Sequence, residues 1–129
     1  MNILVVDDDQ TTRNLITMIL NKGGFVHVMM AESAVKAYEI LGIEPEKSGA
    51  FLPDLIIMDI IMPEIDGIEA CARIKRDKRF AETKMLMAST LSDLDHLKKA
   101  LLAGASDYIT KPFHTEDLLT RVRFIGRKL

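Results

Sequence analysis

Acidic side chains, a hydroxyl pair and a lysine each follow an apolar run in this chain. Asp7, Asp8 and Asp9 come after residues 3–6, Asp59 after 55–58, Ser89 and Thr90 after 84–88, and Lys111 after the short stretch 107–110. If these runs end at one place, the acids cannot gather unassisted. Two carboxylates about 4 Å apart repel by roughly 4 kcal/mol at an effective dielectric near 20, an appreciable part of a small domain's whole stability. Oxygen ligands without His or Cys among them favour Mg²⁺, which accepts one or two carboxylates together with a phosphate oxygen. With that ion and the Lys111 ammonium on opposite sides of Asp59, an incoming phosphoryl group would be neutralised while the carboxylate attacks phosphorus in line. The product is an aspartyl phosphate, and Ser89 is placed to donate a hydrogen bond to one of its oxygens.

The elements that must position these groups alternate regularly. The run "ILVV" reads as a buried strand, and Leu15, Ile16, Ile19 and Leu20 recur at helical spacing over about 11–22, with Gly23 and Gly24 as the stop. A second strand is expected over 26–30, then Ser33 as cap of a helix carrying Ala34, Ala37, Tyr38 and Leu41. The stretch 42–54 is polar, broken by Gly42, Pro45, Gly49 and Pro53, and reads as a surface insertion. Strands at 55–58, 84–88 and 107–110 are interleaved with helices over about 68–76, from Asp93 to Gly104 (Leu94, Leu97, Leu101 and Leu102), and from about Thr115 onward (Leu118, Leu119, Val122 and Ile125). Strands without polar alternation imply a parallel sheet covered by helices on both faces. Right-handed crossovers then bring every strand's C-terminal end to one edge, where ligands of such folds sit. The dispersed acids, hydroxyls and lysine all belong to that edge.

Composition excludes several classes. At 129 residues, 48% hydrophobic and 28% charged, the chain is one globular domain large enough to bury a core without staples. Its apolar runs are far short of the roughly 20 residues that cross a bilayer, and the N-terminus lacks a signal-peptide pattern, so a cytoplasmic location away from membranes is expected. Cys71, the single cysteine, reads as a buried inert thiol. A net charge of −2 offers no footprint for direct nucleic-acid contact. The basic cluster Arg121, Arg123, Arg127 and Lys128 reads as the wet face and dipole complement of a last helix. His27, His96 and His114 lack metal-ligand spacing, and the scattered methionines read as core fillers.

Taken together, "LVVDDD", "LIIMDIIMPEIDG", "MASTLSD" and "YITKPF" resemble the receiver domain of two-component response regulators along essentially the whole chain. The resemblance implies a flavodoxin-like, doubly wound α/β fold, (βα)5, with a five-stranded parallel sheet in the order 2-1-3-4-5 and one receiver domain over 1–129. By position it makes Asp59 the phosphoacceptor, Asp8 a direct Mg²⁺ ligand, Asp7 a ligand through water, and the Ile61 carbonyl a further ligand. Ser89 takes the switch hydroxyl role, Lys111 the phosphate-binding role with a cis peptide to Pro112, and Tyr108 the aromatic that turns inward on activation. Implied partners are a histidine kinase or phosphotransfer protein as donor, and a downstream protein or fused output domain reading the face of helix four, strand five and helix five. The same face could support a homodimer through helices four and five.

Three departures from the family pattern stand out. Thr90 occupies a place where Ala or Gly is usual, Ile61 and Leu91 are both apolar, and 42–54 carries the insertion. Thr90, Ile61 and Leu91 are expected to limit water access to a phosphoryl group. Two rivals remain at this level: a haloacid dehalogenase-type phosphatase, with Asp7 as nucleophile and Asp9 as acid in "DDDQT", and a receiver-like interaction domain that is never phosphorylated.

Overall fold

The computed structural model describes residues 1–43 and 51–127. Most of the expected insertion, and Lys128 of the basic cluster, therefore lie outside the described residues. Five parallel strands, β1 (Asn2–Val6), β2 (His27–Ala31), β3 (Leu55–Met58), β4 (Lys84–Ser89) and β5 (Asp107–Thr110), form one sheet in the order β2-β1-β3-β4-β5. Five helices alternate with them: α1 (Gln10–Lys22), α2 (Ala34–Leu41), α3 (Gly67–Lys75), α4 (Leu94–Ala103) and α5 (Thr115–Gly126). This is the doubly wound arrangement the sequence implied.

Each face of the sheet has its own core. Leu4, Val6, Ile56, Met58, Met85 and Met87 pack against α2, α3 and α4, while Ile3, Val5, Leu55, Ile57, Leu86 and Ile109 pack against α1 and α5. The alternation along each strand is the period of the pleat, and both sets are apolar because both faces are covered. The edge strand departs from the expectation. β2 starts and ends one residue later than expected; in it only Ala31 is buried, and Met29 and Met30, with Val26 just before it, are exposed, because β2 has a neighbour on one side alone. Leu15 of α1 and Leu94, Leu101 and Leu102 of α4 also face outward, Leu102 at 89% exposure. Ala100 is the buried residue of α4. Met58, Met62, Met85 and Met87 fill the core as expected, whereas Met18, Met29 and Met30 do not.

Caps fix where the helices begin relative to the strands. Asp9, Ser33, Asp66 and Asp93 each accept a backbone N–H two or three positions into the next helix, satisfying donors that would otherwise be orphaned. Cys71 is fully buried, and burial pushes its thiol up to about 11, in keeping with an inert thiol. None of the helices among the described residues is long and apolar enough to cross a membrane.

One close approach joins the fold directly to the strand edge of interest. Gly67, the first residue of α3, donates its N–H to the Ile60 carbonyl at 2.8 Å. A Cβ added there would lie 1.9 Å from the Asp59 carbonyl oxygen and 2.8 Å from the Ile60 Cα. Backbone cannot yield as a side-chain end can, so Gly67→Ala is expected to destabilise the fold by about 1–3 kcal/mol in urea unfolding. A loss below about 0.5 kcal/mol, within the range of ordinary surface substitutions, would show that this junction tolerates displacement.

Candidate functional site

The C-terminal ends of β1 and β3 meet where the strand order reverses, between β1 and β3. At such a switch point helices leave to opposite faces and open a crevice. Ladder bonds continue one residue past both strands: Asp7 N–H reaches the Ala31 carbonyl at 3.1 Å, and Asp59 N–H reaches the Val6 carbonyl at 3.0 Å. The two aspartates are thus set by the sheet rather than by a loop. On the far side, Lys111 N–H donates to the Ser89 carbonyl at 2.8 Å, which extends β5 along β4, and the Lys111–Pro112 peptide is cis.

From these anchors the side chains converge. Lys111 Nζ donates to Asp7 Oδ2 at 2.6 Å and to Asp59 Oδ2 at 3.2 Å, joining residues that lie 104 and 52 positions apart. Carboxylate oxygens of Asp7, Asp8 and Asp59 all lie within 4.8 Å of one another. Asp7 is 2% exposed and Asp59 8%, while Asp8 faces solvent. Asp7 Oδ1 also accepts the Asp9 N–H at 2.9 Å, and Asp59 Oδ1 the Ile61 N–H at 3.3 Å.

Charge does not balance within this group. Burial raises the pKa of Asp59, and the nearby Asp7 carboxylate adds to the rise although Lys111 opposes it. Burial likewise disfavours the Lys111 charge, but the hydrogen bond and proximity to Asp7, with Asp59, overcome that and raise its pKa. One ammonium facing three carboxylates leaves a formal excess of two negative charges, which a divalent cation would cancel. The donors are oxygen only, and opposite ligands of octahedral Mg²⁺ stand about 4.2 Å apart at its usual 2.0–2.1 Å bond lengths, inside the 4.8 Å that bounds the separation of these oxygens. The donor set fits a small hard divalent ion.

The remaining expected residues sit around this group. Ser89 is fully buried at the end of β4, and its hydroxyl accepts the Leu91 N–H at 3.3 Å; it has no hydrogen bond to the acids among the described residues. Tyr108 is half-buried and donates its hydroxyl to the Leu91 carbonyl at 2.6 Å, which ties β5 to the loop after β4. Burial, with the Asp93 and Asp59 charges, raises its pKa against the neighbouring Ser89 hydroxyl. Ile61 is 52% exposed, Thr90 is exposed and Leu91 half-buried. Asp9 is used as the cap of α1, its Oδ2 accepting both the N–H and the hydroxyl of Thr12. The sequence reading did not single out Arg13, whose guanidinium donates to the Asp7 carbonyl at 2.6 Å. Its one visible sign is a cation four residues after a run of three acids.

Comparison with known proteins agrees with this geometry. Residues 3–123 match the family model described as the response regulator receiver domain. The chemotaxis protein CheY of Bacillus subtilis is 38% identical over 120 residues, covering 93% of this chain and 92% of that protein. The DNA-binding dual master transcriptional regulator RpaA of Synechocystis is 34% identical over 126 residues, covering 98% of this chain but 49% of its own length. The chain therefore spans about half the length of the curated transcriptional regulators it matches. Among solved structures, the BeF3-activated DrrB receiver domain superposes with a TM-score of 0.81 at 29% identity, over 98% of this chain and 97% of that one.

The raised Asp59 pKa has a measurable consequence in the absence of divalent ions. A carboxyl that holds its proton more tightly when folded contributes stability at acid pH, and that contribution is lost as pH rises from the unfolded value of 3.8 through the folded one. Asp59→Asn removes the unfavourable charge while Lys111 keeps its shorter contact to Asp7. In chelator, the variant is expected to melt higher than the parent at pH 7 and to show a flatter pH profile above pH 4. A parent as stable as the variant at pH 7 would contradict the charge imbalance.

Proposed function

The chain belongs to the response regulator receiver domain family, and on that premise we propose that Asp59 accepts a phosphoryl group from a histidine kinase or phosphotransfer protein. As a receiver domain it is a regulatory signalling module. The observation that carries the assignment to Asp59 is the pair of contacts from one lysine to two acids drawn from separate strands, 2.6 Å to Asp7 and 3.2 Å to Asp59.

In the proposed reaction an Asp59 carboxylate oxygen attacks phosphorus, the new O–P bond forms as the donor's P–N bond breaks, and the electron pair leaves with the donor nitrogen. Lys111 neutralises phosphoryl oxygen charge from one side, and the Ser89 hydroxyl donates to another oxygen once it turns from its loop. Asp8 and Asp59, the Ile61 carbonyl, and Asp7 through water would hold Mg²⁺. When bound, that ion supplies neutralisation of the incoming phosphoryl charge. Asp7 is less suited than Asp59 to be a nucleophile, as a phosphatase would need it to be, because its oxygens are held by shorter contacts, 2.9 and 2.6 Å against 3.3 and 3.2 Å, and it is 2% exposed against 8%. Asp9, the acid of that rival, is committed to the α1 cap.

Signal output follows from the coupling of Ser89 to Tyr108 through the loop after β4. Attraction of Ser89 toward a phosphoryl oxygen changes the loop to which the Tyr108 hydroxyl is tied, and with it the α4-β5-α5 face, where Leu94, Leu101, Leu102 and Phe124 are exposed. A downstream protein, a fused output domain or a second copy joined through α4 and α5 would read that face. We take 1–129 as a single receiver domain acting in the cytoplasm, with no direct nucleic-acid contact of its own.

Ile61, Thr90 and Leu91 bear on how long the signal lasts. Apolar Ile61 and Leu91 cannot orient a hydrolytic water, and branched Thr90 crowds its approach, so slow self-dephosphorylation is expected, with a half-life of minutes or longer. Thr90→Ala is expected to shorten it, and a parent half-life of seconds would end this reading. The assignment itself is tested by treating the protein with acetyl phosphate and Mg²⁺ and mapping the modified residue after borohydride trapping. Label at Asp59, lost in Asp59→Asn, is the expected result. Label at Asp7 would support a phosphatase, and no label a receiver-like domain outside phosphorylation.

A further inference from the structure

We propose that Arg13 is a positioning residue for the metal-binding acids, holding the peptide that aims Asp8; this rests on reading Asp7, Asp8 and Asp59 as the Mg²⁺ site. The three acids are not fixed in the same way. Asp7 is held at every polar point: its N–H by Ala31, its carboxylate by the Asp9 N–H and Lys111, its carbonyl by Arg13. Asp59 is held by Ile61 N–H, by Lys111 and by its ladder bond to Val6. Asp8 is exposed, and its carboxylate has no hydrogen-bond partner among the described residues.

The direction of Asp8 therefore depends on its backbone. The peptide linking Asp7 to Asp8 presents its carbonyl to Arg13 Nη1 at 2.6 Å, a short charge-assisted contact. Rotation of that peptide would swing the Asp8 Cα–Cβ bond and carry its carboxylate away from Asp7 and Asp59. Arg13 is itself anchored, because its N–H donates to the Asp9 carbonyl at 3.0 Å in the first turn of a helix that Asp9 caps. The run of acids is thus closed on itself by the first turn of α1, with the guanidinium as the clasp.

Charge and geometry make opposite demands on this residue, which gives the idea a sign. A guanidinium near a divalent site weakens metal binding by repulsion, so a merely electrostatic Arg13 would bind Mg²⁺ more tightly once removed. A positioning Arg13 would bind it less tightly, by the ten- to hundredfold typical of groups that orient metal ligands.

The test is a Mg²⁺ titration of the whole protein followed by amide NMR, on the parent, Arg13→Ala and Arg13→Lys, with no phosphoryl donor present. The expected result is at least tenfold weaker Mg²⁺ affinity in Arg13→Ala and partial recovery in Arg13→Lys, which keeps a donor and the charge. In the metal-free Arg13→Ala protein, the Asp8 and Asp9 amides are expected to show new exchange broadening while β4 and β5 amides stay in place. Should Arg13→Ala not fold, Arg13→Lys still has to bind Mg²⁺ more weakly than the parent, by about two- to tenfold. Equal or tighter Mg²⁺ binding in a folded variant overturns the role of Arg13. Absence of Mg²⁺ binding by the parent overturns the metal site on which it rests.

Discussion

Repulsion among three carboxylates is the constraint around which this molecule is organised. A parallel sheet sends all its strand ends to one edge, and here two neighbouring ends carry Asp7 and Asp59, both nearly buried. Lys111 answers part of that charge from β5, reaching across to both acids. What it leaves unanswered is a local negative excess in a partly desolvated crevice, the condition under which a hard divalent cation and a phosphoryl group are held together.

The surrounding structure serves to keep that unfavourable grouping from relaxing. Ladder bonds fix the backbones of Asp7 and Asp59, the Gly67 junction holds α3 directly against the Asp59 carbonyl, and the capped first turn of α1 folds back over the acids. Between the acids and the α4-β5-α5 surface stands the loop after β4, touched from one side by Ser89 and from the other by Tyr108. Ser89 and Tyr108 thus meet at one residue, Leu91, the first accepting its N–H and the second donating to its carbonyl.

How much of this could be read in advance depended on the kind of information involved. β1, β3 and β4 were plain because uninterrupted apolar runs are what strands covered on both faces require, and the parallel arrangement then predicted which residues share an edge. The same logic misjudged β2, since an edge strand needs fewer buried side chains than its composition suggests. Helical spacing found α1 and α4 through Leu15, Leu94, Leu101 and Leu102 among others, but these four are exposed, because periodicity marks a face without saying where burial stops. In the site, the convergence of Asp7, Asp8, Asp59 and Lys111 was legible from strand ends. That Lys111 lies closer to Asp7 than to Asp59, and that Arg13 folds back onto the Asp7 carbonyl, was not, since each depends on side-chain paths that spacing does not encode.

The most direct test of the central claim is the dependence of stability on Mg²⁺ at neutral pH, measured as the melting temperature of the parent and of Asp8→Asn over a range of ion concentrations. If the acids form an under-neutralised site completed by a divalent cation, the parent gains stability logarithmically above its dissociation constant, and Asp8→Asn gains much less at the same concentrations. A parent whose melting temperature ignores Mg²⁺, or an Asp8→Asn variant that gains as much as the parent, would contradict the account.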